Sequence, residues 1–233
     1  MKSNMNFALV HTKHIWNDAE MLSLLAVATT APNLSIISQY QQVIQAPGLE
    51  TQNVATSSIP AVPFYSQFKD INAAAWQKIG CGVTSLAMVI DYYKPDAVSV
   101  NALLKQGIAA GAYLQSAGWT YKGLIQLSQK YGLDGNSYDL SALGGQAAFT
   151  QLQTYLKDGP VIASVHYKFD PKSTIPHLVV IDGVDKGTVY YNDPAAKTGE
   201  KQISTADFLK GWKKRFIVVR PVKENNEVAL VGK

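Results

Sequence analysis

Residues 76–93 read WQKIGCGVTSLAMVIDYY, and this stretch contains Cys81, the only cysteine in the 233-residue chain. Behind it, apolar residues recur at spacings of three and four, which predicts a buried helix from Gly82 to Tyr93 that ends at the following Lys-Pro pair. A cysteine in the first turn of a helix lies where unpaired backbone N–H groups and the helix dipole stabilise a thiolate. Free cysteines are also among the most commonly buried residues, so the stretch alone supports a reactive and a structural role equally.

Glycines flank the cysteine on both sides. Gly80 and Gly82 place no side chain beside the sulfur, so another backbone segment or a substrate chain could come close to it. A purely structural cysteine would not need this clearance. The flanking glycines indicate a reactive role, but the frequent burial of free cysteines offsets them, so the stretch with its glycines still supports both roles equally.

A catalytic cysteine needs an imidazole to accept its proton and a third group to orient that imidazole. Only His166 and His177 lie in sequence that is predicted to fold, and His177 opens the predicted strand HLVVIDGV. A hairpin that closes at residues 185–187 would place Asp193 opposite His177 to within one or two positions, with Asn192 on the other face. A carboxylate there can accept a hydrogen bond from the ring and fix its tautomer. Taken singly, the segment NDP is more typical of an ordinary Asx-Pro turn.

The remaining predicted elements run from helices to strands. A second helix is predicted to begin after VSVNALLKQG, a third lies in WTYKGLIQLSQKYGL and ends at Gly132, and a fourth lies in GGQAAFTQLQTYLKDGP. Strands are predicted at Pro160–Tyr167, His177–Val184, Thr188–Asp193 and Arg215–Val222, with a short helix in STADFLKGW capped by Ser204 or Thr205. Helices followed by strands in this order indicate an α+β fold.

Composition limits the class of protein. With 47% hydrophobic and 16% charged residues the chain can bury a core, and no apolar run reaches the roughly 18 residues that a membrane span needs, so a soluble, monomeric globular protein is expected. The formal charge of +4 is spread along the chain, which predicts no nucleic-acid partner. The densest basic patch is KGWKKR, residues 210–215. It is more typical of a solvated helix end than of a binding site for a polyanion or an acidic substrate.

Neither a disulfide nor a metal site is expected. One cysteine cannot form an internal disulfide, and a zinc site would need three or four ligands from the four histidines, the cysteine and carboxylates. His11 and His14 form the pair HTKH, but they precede the part of the chain that is predicted to fold. No cofactor is predicted.

The chain is predicted to divide near residue 60. Residues 1–59 lack sustained periodicity and end in the linker QAPGLETQNVATSSIPAVP, residues 60–222 form the folded domain, and residues 223–233 form a flexible tail. Within the leader, Met21–Ala31 has the apolar length and small-residue end of a signal peptide, although Asp18 and Glu20 precede it. The expectation is a secreted or cell-surface protein. The alternative is a cytoplasmic protein in which this segment is an amphipathic pro-segment helix or a disordered tail.

From about Val62 to Val222, the sequence resembles the papain-like cysteine peptidases of the bacteriocin-processing, double-glycine-leader type. The resemblance runs through several motifs in order. VPFYSQ, a tryptophan and then GCGVTSLAMVIDYY resemble the opening strand, the oxyanion glutamine and the nucleophile helix of that family. LKDGPVIASV resembles its helix-to-strand step, PHLVVIDGVD its histidine strand and VYYNDPA its aspartate strand.

The resemblance implies a papain-like fold, in which an N-terminal helical part carries the nucleophile at a helix start and packs on a mostly antiparallel sheet. It implies Cys81 as the nucleophile, His177 as the general base and Asp193 as the residue that orients it. Gln67 and the backbone N–H of Cys81 would form the oxyanion hole. The expected reaction is hydrolysis of a peptide or protein substrate through a thioester, by a stand-alone enzyme without a transporter domain.

Three alternatives remain open from the sequence. The same residues on related folds perform amide hydrolysis or acyl transfer, as phytochelatin-synthase-like enzymes do. A protein of another class, a binding module that kept the fold and lost turnover, is also compatible, although the complete set of four residues argues against it. The aromatic residues of AGAYLQSAGWTYKG could line a substrate cleft, but a core position is favoured for Trp119.

Overall fold

The computed structural model describes Ile59 and residues 61–222. This part of the chain contains six α-helices: α1 Ala74–Gln77, α2 Cys81–Tyr93, α3 Val100–Ala109, α4 Tyr121–Gln129, α5 Gly145–Leu156 and α6 Thr205–Gly211. Its eight strands are β1 Tyr113–Leu114, β2 Gly118–Trp119, β3 Leu133–Asp139, β4 Val161–His166, β5 Pro176–Asp185, β6 Thr188–Asn192, β7 Lys201–Ser204 and β8 Trp212–Pro221. A 3₁₀ turn, Tyr167–Phe169, follows β4.

Six of the strands form one antiparallel sheet in the order β3-β8-β4-β5-β6-β7. The strands β1 and β2 form a separate two-residue hairpin. The predicted α+β class with a mostly antiparallel sheet is therefore confirmed.

The sheet carries a hydrophobic core on each face, because successive side chains of its central strands point to opposite sides. On β4, Ile162 packs with the core of α2, α3 and α4, whereas Val161 and Ala163 pack with the core of α5 and α6. On β5, Val180 belongs to the first core and Val179 to the second. Each fully buried valine or isoleucine side chain contributes about 1.5–3 kcal/mol to folding. The central strands are consequently covered on both sides and hold a fixed position.

Helix α2 is fixed against β5 next to the predicted site. Residues 82–90 of α2 are all buried. Ser85, one turn after Cys81, donates a buried hydrogen bond of 3.2 Å from its hydroxyl to the carbonyl oxygen of Leu178. Leu178 directly follows His177, so this bond holds the start of the cysteine helix beside the start of the histidine strand.

Two predicted elements are wrong. The second helix does not follow VSVNALLKQG but occupies Val100–Ala109, where buried side chains recur at the helical spacing, and Gly111 at φ +65° lies in the turn after it. The segment VPFYSQ forms no strand. Pro63 lacks a backbone N–H, and the carbonyl oxygen of Ser66 accepts bonds from the next turn instead.

The helices and strands of the later part of the chain lie where the periodicity predicts them, to within three residues at each end. Ser204 is the residue that caps α6, since its side chain accepts a hydrogen bond from the backbone N–H of Asp207. Helix α1, the β1-β2 hairpin and the strands β3 and β7 were not predicted. Strands β3 and β7 lie at the two edges of the large sheet and are mostly polar and partly exposed, so they lack an apolar alternation.

The predictions for residues 1–58, including the signal-like segment Met21–Ala31, and for the tail 223–233 lie outside the described residues. Export, the domain limits and the monomeric state therefore stay predictions. Within the described residues, every helix is too short or too polar to cross a membrane.

Candidate active site

Cys81 is the first residue of α2, and its side chain is partly exposed. It lies in the wall of an open cavity of about 720 Å³, together with Gln67 and His177. The N–H groups of the first helical turn have no acceptor within the helix and carry the positive end of its dipole. The fold therefore places the sulfur where negative charge is stabilised and where a ligand can reach it.

His177 is the second residue of β5 and is only 4% exposed. Its Nε2 lies 2.6 Å from Oδ1 of Asp193, which directly follows β6. Oδ1 also accepts a 2.8 Å hydrogen bond from the backbone N–H of Ala195, which fixes the carboxylate. With Nε2 bonded to Asp193, the ring presents Nδ1 for a second interaction.

The hairpin that joins the histidine and the aspartate is less regular than the sequence suggests. Strands β5 and β6 pair Val184 with Val189 near the turn, and a bulge between Ile181 and Gly183 then shifts the register so that Val180 pairs with Asn192. The bulge moves Asp193 by one position relative to a regular hairpin. Asp193 therefore lies within two positions of the point opposite His177, as the turn predicts.

His177 is in a strongly charged environment. Burial of the ring, the largest influence, lowers its pKa, but the hydrogen bond with Asp193 and the hydrogen bonding and charge of Cys81 outweigh burial and raise the pKa of His177 to about 9. The imidazole is therefore protonated at neutral pH. The protonated ring and the Cys81 side chain therefore lie together in the wall of one cavity.

Gln67 is 3% exposed and lies in the cavity wall. Its Nε2 donates a 2.7 Å hydrogen bond to the carbonyl oxygen of Gln77, and its backbone N–H donates to Pro194, the residue after Asp193. The amide nitrogen has two protons, and the bond to Gln77 uses one of them. The other proton has no acceptor among the described residues, and Gln67 and Cys81 line the same cavity.

His166 and Asn192 have other surroundings. Nδ1 of His166 lies 2.8 Å from the carbonyl oxygen of Ser173, and this histidine is not among the residues of the cavity wall. Asn192 is fully buried, where its amide donates to a carboxylate oxygen of Asp182 at 2.9 Å and its Oδ1 accepts from the backbone of Glu200. Of the two histidines in folded sequence, only His177 is brought to the cysteine.

The flanking glycines do not open space for a substrate, which corrects the expectation from sequence. A side chain at Gly82 would lie 2.6 Å from the Trp119 side chain, and one at Gly80 would collide with Ile71. Both glycines therefore admit side chains of the protein itself. Trp119 is 6% exposed in the core, as the sequence favoured, yet it also lines the cavity.

The cavity wall combines aromatic, apolar and basic residues. Phe68, Ile79 and Ile175 are large apolar side chains that are exposed at this wall. Lys213 and Arg215 also line it, although the sequence favours a solvated helix end for that basic patch. The sequence missed these two because their approach to Cys81 depends on strand order, which no local pattern reveals.

Among the described residues, no group of three or more His, Cys, Asp or Glu side chains is arranged to hold a metal ion.

Three solved structures illustrate what this chain is similar to. The double-glycine-motif protease of an AMS/PCAT transporter, solved in complex with the leader peptide, is 23% identical, with a TM-score of 0.50 over 72% of this chain and 96% of that one. A C39-like peptidase from Bacillus anthracis is 22% identical, with a TM-score of 0.49 over 69% and 96% of the two chains. The peptidase domain of Streptococcus ComA is 20% identical, with a TM-score of 0.47 over 62% and 93%.

Comparison with curated protein sequences gave no match. The first of the similar structures confirms the papain-like fold that the motifs predicted. The profile of the Peptidase_C39 like family matches residues 59–217, which include Gln67, Cys81, His177 and Asp193. By this match over more than half of its length, the chain belongs to the Peptidase_C39 like family of cysteine peptidases.

Proposed function

We propose that this protein is an active cysteine peptidase that hydrolyses peptide bonds through Cys81, His177 and Asp193. The observation that carries the proposal is the partly buried 2.6 Å contact between His177 and Asp193, in a fold that puts Cys81 at a helix start in the same cavity as His177. A nucleophile, a base and a group that orients the base are the three parts that covalent acyl transfer needs.

The first half of the reaction acylates the cysteine. The Cys81 thiolate attacks the carbonyl carbon of the scissile bond, and the carbonyl oxygen becomes an oxyanion. The backbone N–H of Cys81 and the unused Nε2 proton of Gln67 donate hydrogen bonds to that oxygen. The His177 imidazolium then gives its proton to the amide nitrogen, the C–N bond breaks, and the amine leaves.

The second half hydrolyses the thioester. His177, now neutral, accepts a proton from a water molecule as the water oxygen attacks the thioester carbon. The C–S bond breaks, the carboxylic acid leaves, and the thiolate–imidazolium pair is restored. Asp193 holds the ring by Nε2 throughout and stabilises its positive charge.

A peptide is the best-supported substrate class. A relative of this fold, the double-glycine-motif protease, was solved with a leader peptide. In this chain, the cavity is open along an exposed apolar wall, which suits an extended chain with apolar side chains. An amidase or acyltransferase would use the same residues, and only the products of the reaction distinguish it from a peptidase.

The decisive experiment measures the reactivity of the single cysteine and the hydrolysis of peptides by the same preparation. Iodoacetamide at about pH 5.5 should alkylate Cys81 at least about tenfold faster than it alkylates free N-acetylcysteine, because only a thiolate reacts quickly at that pH. The purified chain should cleave peptides in a mixture of randomised synthetic decapeptides, with cleavage read by mass spectrometry. Cys81→Ala should fold normally and cleave none.

His177→Ala is the matched variant, since it keeps the cysteine and removes its cationic neighbour. It should slow alkylation to the rate of the free thiol. A wild-type Cys81 that reacts no faster than the free thiol, or cleavage by purified Cys81→Ala, would refute the proposal.

A further inference from the structure

A bulge in β8 lies at the edge of the cavity. Strand β8 pairs Arg215 with Ser164 of β4, but the next residue of β4, Val165, pairs with Trp212. Lys213 and Lys214 are therefore additional residues in β8 that no residue of β4 matches. Lys214 has φ +57°, a left-handed conformation that is uncommon for a residue other than glycine. Bulges of this kind redirect side chains and are frequent next to active sites.

The two lysines of the bulge have different surroundings. Nζ of Lys214 donates hydrogen bonds of 2.7 Å to the carbonyl oxygens of Ser141 and Leu143. Lys213 is partly buried in the cavity wall, and within the described part of the chain its ammonium has neither an ion-pair nor a hydrogen-bond partner. The bulge thus leaves one positive charge directed at the cleft without an internal partner.

Arg215 adds a second donor to the same wall. Its Nε donates to Oδ2 of Asp139 at 2.8 Å, which leaves the two terminal NH₂ groups without acceptors among residues 61–222. Lys78 lies elsewhere in the wall, and none of the described wall residues is an aspartate or a glutamate. The cleft is therefore positive, and an arginine with free terminal groups suits a planar carboxylate.

The strand order gives the backbone distance from Arg215 to the histidine end of β5. Arg215 pairs with Ser164, and Ser164 pairs with Leu178, the residue after His177. Two steps between neighbouring strands are about 10 Å, and an extended peptide advances about 3.3 Å per residue. A substrate group at Arg215 is therefore within about three residues of the scissile bond.

From this arrangement we infer that Lys213 and Arg215 form a subsite for a carboxylate of the substrate, within about three residues of the bond that is cleaved. The inference rests on the proposed peptidase function and specifies its substrate class. The carboxylate is either an acidic side chain or the C-terminus of the peptide, since both present the same pair of oxygen atoms.

The test uses pairs of synthetic peptides built around a cleavage site found in the randomised library. For each position within three residues of the site, one pair of peptides carries Asp or Asn at that position and is otherwise identical. A further pair differs only in having a free or an amidated C-terminus. The wild-type chain should prefer the carboxylate member of one pair by about tenfold in kcat/KM, the effect of a partly exposed charge-assisted hydrogen bond. The pair that shows the preference identifies the source of the carboxylate.

Variants connect the preference to the two residues. Lys213→Gln and Arg215→Gln should each reduce the preference to about threefold or less, and Lys213→Glu should abolish it or favour the uncharged peptide. Lys210→Ala is the matched control, because Lys210 belongs to the same basic patch but pairs with Asp207 and does not line the cavity. It should keep the wild-type preference. Thermal unfolding of each variant establishes that it is folded.

The outcomes separate this inference from the proposed function. Cleavage of both members of every pair at equal rates, or a preference that survives both glutamine variants, overturns the subsite and leaves the peptidase assignment intact. Failure of the wild-type chain to cleave any peptide, with Cys81 no more reactive than a free thiol, overturns the peptidase assignment and the subsite together.

Discussion

Replacing Asp193 by asparagine should lower the pH at which activity is lost, while the variant still catalyses the reaction at lower pH. The rise of the His177 pKa from 6.5 to about 9 corresponds to roughly 3 kcal/mol in favour of the charged ring. The asparagine side chain would keep an oxygen acceptor for Nε2 but remove the negative charge, and an opposite charge at this distance raises a histidine pKa by about 1–3. The ring in the Asp193→Asn variant should therefore lose its proton at least about one pH unit lower.

The direction of the effect on activity follows from the role of the proton. His177 must be protonated before the thiolate attacks, because it supplies the proton to the leaving amine. The wild-type kcat/KM should therefore fall as the pH rises through about 9, and that of Asp193→Asn should fall at a lower pH. Near pH 6 the variant should keep measurable activity, since its ring is still charged there.

The assay is the profile of kcat/KM from about pH 5 to about pH 10 with one peptide substrate. In parallel, NMR of ¹³C-labelled histidine would follow the ring directly, and Cys81→Ala should lower its titration point because the cysteine contributes to the raised pKa. His166→Gln is the control, with an unchanged alkaline limb. An alkaline limb that is the same in Asp193→Asn and the wild type would refute the assignment of Asp193 as the partner that charges the ring.

Three further predictions concern the base, a buried carboxyl and the leader. His177→Ala should lower kcat/KM about as much as Cys81→Ala does, whereas His166→Ala should keep most activity, because His166 lies outside the cavity wall. Equal losses of kcat/KM in the two histidine variants would mean that His177 is not the base. Burial raises the pKa of Asp182 to about 7, so the folded state holds its proton more tightly and the stability of the domain should fall as the pH rises from about 4 to 7. Thermal unfolding at several pH values should show a flatter dependence of Tm on pH for Asp182→Asn, and the same dependence in variant and wild type would contradict the prediction. A chain shortened to begin at Ile59 should unfold cooperatively at a similar temperature and stay active, because the composition of the linker before it is typical of segments that bury little apolar surface; a Tm many degrees lower would show that the predicted boundary at residue 60 is wrong.

The parts of the site that sequence predicts well are those encoded by local pattern and short connection. The nucleophile helix follows from the spacing of its apolar residues, and the pairing of His177 with Asp193 follows from a tight turn only a few residues away from both. The bulge between Ile181 and Gly183 shifts that register by a single position, which is within the one or two positions that the prediction allows.

The elements that sequence missed depend on partners far along the chain. Strand β3 has the polar sequence LDGNSYD, and it becomes a strand because all seven of its residues pair with β8, which lies about 80 residues later. The segment VPFYSQ fails to become a strand although its residue types suit one, since Pro63 cannot donate and the chain turns at Ser66. Lys213 reaches the cavity only because the bulge and the strand order bring it there.

Trp119 explains why sequence reasoning misjudged the glycines beside the cysteine. The sequence favours a core position for Trp119 over a place in the cleft wall, yet in the structure this residue occupies both. Its ring covers Gly82 in the first turn of α2, its Nε1 donates a 2.7 Å hydrogen bond to the carbonyl oxygen of Ile79, and one side of it faces the cavity. Gly82 is therefore required by the packing that positions Cys81 and does not itself provide space for a substrate. In this fold the first turn of the nucleophile helix is held by the same side chain that shapes the cleft, so a change at Trp119 should alter the stability of the domain and the fit of its substrate together.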